Sequence, residues 1–80
     1  MLIDVVKVKP LDDYRLLLTF ENGETKVFDV KPYLEVGNFK QIKDKELFDT
    51  VKVVLGTVKW NNGVDLDPEV LYEDGKLIEE

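Results

Sequence analysis

The sequence predicts a small α+β domain: a mainly antiparallel sheet of about four to five strands with two to three short helices. Three observations carry that reading. Runs rich in β-branched residues recur at strand length. Two Asn-Gly dipeptides, Asn22-Gly23 and Asn62-Gly63, supply turns between such runs. Asp67-Pro68-Glu69 writes a helix start, with a capping side chain, a proline whose missing N–H costs nothing, and an acid at the positive end of the dipole. The chain has 80 residues, room for a single domain over 1–80 with one small core. A hydrophobic share of 44% beside a charged share of 35% is that of a globular chain, not a disordered one.

Taken in order, Ile3 to Lys9 reads as a first strand ended by Pro10. Leu11-Asp12-Asp13 is a polar connection, and Tyr14 to Phe20 a second strand. Asn22-Gly23 suits a type I′ turn, with Thr25 to Val30 returning as strand three. A two-residue loop pairs Phe20 with Thr25, Leu18 with Val27 and Leu17 with Phe28, which leaves apolar pairs on both faces. A bulge at Gly23 would shift the pairing by one. The first register, with both faces partly covered, is the one expected.

Lys31 to Glu35 suits one helical turn around Pro32, with Asp29 accepting N–H bonds from it, and Gly37-Asn38 breaks it. Asp44 caps a short helix, Lys45 to Asp49, whose Leu47 and Phe48 face the sheet. Val51 to Val54 and Thr57 to Trp60 read as two further strands around Leu55-Gly56. A last helical turn runs from Asp67 to Glu73-Asp74-Gly75, and Lys76 to Glu80 reads as a fraying tail.

Composition excludes much chemistry. The chain holds no His, Cys, Ser or Ala, so serine and cysteine triads, histidine bases, disulfides and thiolate or imidazole metal sites are ruled out. Paired acids at Asp12-Asp13 and Glu73-Asp74 read as solvated turn residues, because a chain this size rarely builds a cleft that desolvates an acid. Asp65, Asp67 and Glu69 alternate in a pattern that invites a hard-metal reading with oxygen ligands, but no Gly-centred calcium loop surrounds them. No enzyme activity, no metal and no cofactor is expected.

With 17 acidic against 11 basic residues the net charge is −6, which disfavours direct nucleic-acid binding and favours a basic partner. The lysines, Lys26 among them, are scattered, and Arg15 is the lone arginine. No signal is visible after Met1-Leu2-Ile3 and no apolar run reaches membrane-spanning length, so a cytoplasmic protein without a membrane association is expected.

Several blocks stand in a distinctive order. Asp13-Tyr14-x-Leu16-x-Leu18-x-Phe20-x-Asn22-Gly23-Glu24 is followed by Phe28-Asp29-Val30-x-Pro32-Tyr33-Leu34 and then Phe39. The series ends in Trp60-Asn61-Asn62-Gly63-x-Asp65-Leu66-x-Pro68-x-x-Leu71-Tyr72. Over nearly the whole chain this resembles the bacterial family called domain of unknown function 2442. The resemblance implies a small α+β fold with a mainly antiparallel sheet. It also implies members that occur alone, ahead of a helix-turn-helix segment, or beside small genes in arrangements read as toxin–antitoxin pairs. No helix-turn-helix segment follows in these residues, so a transcription-factor role is not expected. No catalytic residue is established for the family, and none is carried over. Asn61 stands where many relatives are expected to carry proline.

Trp60, Asn61, Asn62, Asp65 and Tyr72 can be read as a recognition patch, or as the closing end of the core with a turn beside it. A lone tryptophan is usually buried, which favours core. The expected function is a non-catalytic protein-binding module, antitoxin-like or an adaptor, that occludes another small and basic protein. Its contact surface is placed on the Trp60–Tyr72 segment (Trp60, Asn61, Asn62, Asp65, Tyr72) plus the Tyr33–Phe39 turn (Tyr33, Phe39). The alternative is a homo-oligomeric structural or ligand-sensing domain, a homodimer in its simplest form, with paired sheet edges.

Overall fold

The computed structural model describes residues 3–78; Met1 and Leu2 of the N-terminal reading, and Glu79 and Glu80 of the tail, lie outside the described residues. In chain order the strands are β1 (Val5–Leu11), β2 (Arg15–Phe20), β3 (Thr25–Asp29), β4 (Lys52–Val54), β5 (Thr57–Lys59), β6 (Asp65–Leu66) and β7 (Lys76–Leu77). The α-helices are α1 (Lys45–Phe48) and α2 (Pro68–Asp74), and 3-10 turns cover Asp12–Tyr14, Lys31–Tyr33 and Gly37–Lys43. The α+β class holds, with every pairing antiparallel. The strands are divided between two sheets, β1-β2-β3-β7 and β4-β5-β6.

The first strand does not stop at Pro10, which pairs with Leu16 inside β1. A proline is tolerated there because β1 lies at the edge of its sheet. Tyr14 belongs to the connection, not to β2. Asp13 and Tyr14 both take positive φ, 64° and 57°, in the turn that joins the strands. The Tyr14 ring is anchored from outside, edge-on to Phe48 at 5.2 Å, with its hydroxyl donating to the Lys43 carbonyl.

The expected hairpin register is corrected by one residue. Thr19 pairs with Thr25, Leu18 with Lys26, Leu17 with Val27 and Leu16 with Phe28. The turn is not type I′, since only Gly23 is left-handed (φ 87°). Gly23 N–H donates to the Phe20 carbonyl and Phe20 N–H to the Glu24 carbonyl, the pattern of a type I turn followed by a bulge glycine. The shift collects Leu16, Leu18, Phe20 and Phe28 on one buried face. It also turns Lys26 inward, where it is 8% exposed and not a solvated strand lysine.

Asp29 accepts the Lys31 N–H at 2.9 Å, so it holds the Lys31–Tyr33 turn as expected. Asp44 caps α1 through the Glu46 N–H (3.1 Å), and Asp67 caps α2 through the Glu69 N–H (2.8 Å). Between these, the Gly37–Lys43 turn was not anticipated. Part of the tail is ordered: β7 lies on the free edge of β3, and Ile78 N–H donates to the Thr25 carbonyl.

The buried apolar residues form one cluster that joins the first sheet to Val58, Trp60 and Leu66 of the second segment and to Leu71 of α2. Aromatic rings run through it in sequence, Phe28, Tyr33, Phe39, Trp60, Phe48 and Tyr14, with centroids 5.2–6.4 Å apart. Phe20 and Tyr72 make a separate edge-to-face pair at 5.1 Å.

Candidate functional site

The Trp60–Val64 segment repeats the geometry of the first hairpin turn. Gly63 (φ 90°) donates its N–H to the Trp60 carbonyl, and Trp60 N–H donates to the Val64 carbonyl. In both turns an asparagine side chain receives the N–H two residues on: Asn22 from Glu24 at 3.0 Å, Asn62 from Val64 at 3.2 Å. Each turn follows a buried aromatic, Phe20 or Trp60, whose backbone closes the turn. The result at residues 61–63 is a rigid ridge with the indole beneath it.

Trp60 is core. It is 1% exposed, and its indole N–H donates to the Phe48 carbonyl at 3.0 Å. Asn61 sits on the turn with its N–H donating to Thr50 Oγ1 at 3.1 Å. A proline there would suit a type I turn but would forfeit that bond, which accounts physically for Asn61. Asn62 reaches across to Gln41, its amide donating to Oε1 at 2.8 Å, and so ties the ridge to the Gly37–Lys43 turn.

Between the ridge and that turn lies an open hollow of about 390 Å³. Val36, Phe39 and Val64 give it an apolar lining, and Asn38, Asn62 and Asp65 line its polar part. Val36 is 56% exposed at its edge. Asp65 is exposed and makes no ion pair among the described residues. The other side of the ridge faces a second hollow of about 370 Å³ with Lys52, Lys59 and Asn61 on its wall. Across the second sheet Lys52, Lys59 and Asp65 stand side by side in one row.

Of the residues placed on the contact surface from sequence, Phe39, Asn62 and Asp65 line the first hollow, while Trp60 and Asn61 line the second. Tyr33 packs between Phe28 and Phe39 and borders a smaller hollow with Pro32. Tyr72 is elsewhere. Its ring covers Lys26 Nζ at 3.6 Å, Lys26 donates to its backbone carbonyl, and its hydroxyl donates to Glu24. The Glu24 carboxyl is held below its ordinary value first by that hydroxyl and then by the Asn22 amide. The same bond raises the Tyr72 phenol. Val36 and Asn38 lie inside the Tyr33–Phe39 turn placed on the contact surface from sequence, though neither was singled out, and Gln41 was missed. The spacing Val36, Phe39, Ile42 is the three-residue period of a 3-10 turn and was the available signal.

Among the described residues no three carboxylates gather as metal ligands would. Asp67 is already committed to capping α2 through the Glu69 N–H. The geometry therefore offers a shaped surface with a carboxylate and amides at its rim, over a tightly packed aromatic layer.

Fold and site together define a small two-sheet α+β protein with an open, mixed-polarity hollow beside a rigid asparagine turn. The chain belongs to the family described as Protein of unknown function (DUF2442), whose profile matches residues 5–76. Among curated proteins and among solved structures nothing matches the chain. No helix among the described residues is long and apolar enough to cross a membrane.

Proposed function

We propose that the chain is a non-catalytic protein-binding module, antitoxin-like or an adaptor, that acts by occluding a second small protein. The observation that carries this reading is the hollow beside the Asn61–Gly63 ridge, where an exposed Val36 shares the lining with an exposed Asp65 carboxylate that makes no ion pair among the described residues. Apolar area supplies affinity on docking, and the rim carboxylate selects a basic side chain. The net charge of −6 adds long-range attraction for a basic partner. Trp60 supports the surface from beneath, and Tyr72 is outside it.

The test is native-level capture at moderate salt with the wild-type chain and with a Val36→Asp/Asp65→Lys variant. Wild type brings down a stoichiometric small basic protein, and the variant, still folded by circular dichroism, does not. Equal recovery by both baits contradicts the placement. A stable homodimer without a partner would instead favour the homo-oligomeric reading.

A further inference from the structure

The outer face of the first sheet has a charge opposite to that of the molecule. Cross-strand register sets three rows on it: Lys7-Thr19-Thr25, Lys9-Leu17-Val27-Lys76 and Leu11-Arg15-Asp29. Lys7, Lys9, Arg15 and Lys76 are exposed, and among the described residues none makes an ion pair. Among the described residues of these rows the one carboxylate, Asp29, is engaged by Lys31 through its ammonium at 3.5 Å and its N–H at 2.9 Å. Half-buried Leu17 and Val27 lie at the centre, between Lys9 and Lys76. The acids of Asp65 to Asp74 belong to β6 and α2. α2 packs on the inner face of the same sheet, through Leu71 in the core and Tyr72 against Phe20 and Lys26.

We infer that this outer face is a second docking surface, for an acidic polypeptide segment that carries apolar side chains between its carboxylates. Charge complementarity selects the partner: acids meet the lysine and arginine rim while an apolar side chain covers Leu17 and Val27. A second copy joined by the same face would set four cations against four, so like-charge repulsion excludes a symmetric dimer there. Nucleic acid fits worse. The face has no aromatic side chain for a base to stack on, and a single arginine. The inference stands on the sheet register and is independent of the hollow at Asp65.

The experiment is amide chemical-shift mapping of the full chain titrated with a short synthetic peptide of alternating glutamate and leucine, at two salt concentrations. Shifts at Lys7, Lys9, Leu17 and Val27 that weaken as salt rises are the expected result. Lys9→Glu with Arg15→Glu lowers affinity about tenfold, roughly 1.4 kcal/mol. Leu17→Thr, which keeps every charge, weakens it severalfold; Asp65→Lys leaves it unchanged. Shifts confined to other surfaces, equal affinity in the reversed-charge variant, or tighter binding of a single-stranded oligonucleotide to the same residues would overturn the inference.

Discussion

Lys26 shows how one residue records the register of a whole hairpin. Because Leu18 rather than Thr19 lies opposite, its side chain enters the core face, and its charge needs partners there. They come from α2: the Tyr72 carbonyl accepts its proton and the Tyr72 ring covers its ammonium. Lys26→Met keeps the buried stem but leaves that carbonyl without this donor, and should cost about 1–2 kcal/mol in chemical denaturation. Glu24 closes the same clasp. Its pKa is depressed from the ordinary 4.5, so its contribution to stability is present above that value and is lost as pH falls through the lowered one. In Tyr72→Phe the first donor is gone. A carboxyl-detected titration should then show Glu24 moved up toward its ordinary value but still held below it by the Asn22 amide, with a shallower loss of stability on the acid side. None of this was legible in sequence, where Lys26 is one of many alternating lysines and Tyr72 reads equally well as an interface anchor.

At the scale of elements, the two Asn-Gly turns were legible as turns but not as types. Asn-Gly fits a type I′ loop and also a type I turn with a bulge glycine, and the two differ by one residue of register. The buried Leu16-x-Leu18-x-Phe20 alternation decides between them once the opposing face is known. Gly63→Ala and Gly23→Ala should each cost about 1–2 kcal/mol, because alanine is strained at φ 90° and 87°. The β4–β5 turn is the reverse case. Leu55 is 98% exposed at φ 51°, followed by left-handed Gly56, so a bulky residue occupies the first place of a type I′ turn. Leu55→Asn should raise stability by about 0.5–1 kcal/mol, read as a higher midpoint in thermal unfolding. Caps were read correctly because Asp44, Asp67 and Asp29 act on N–H groups two residues away. β6 and β7 escaped because two-residue strands carry no periodicity.

Across the whole molecule, the radius of gyration of 11.7 Å matches the about 11.6 Å expected of a compact chain this long. No buried polar side chain among the described residues lacks a partner, so the interior is fully accounted for. The two surfaces proposed for docking lie outside that interior: Val36 and Asp65 beside one ridge, and the basic face of the first sheet. The acidic total predicted a basic partner but hid that segregation, since net charge carries no position. The central claim concerns the hollow. The most direct measurement is amide shift mapping of the isotope-labelled chain with its captured partner. Perturbation concentrated at Val36 to Phe39 and Asn62 to Asp65, with Tyr72 silent, is the predicted result. Perturbation confined to α2, or a labelled chain that binds its partner without moving those residues, would contradict it.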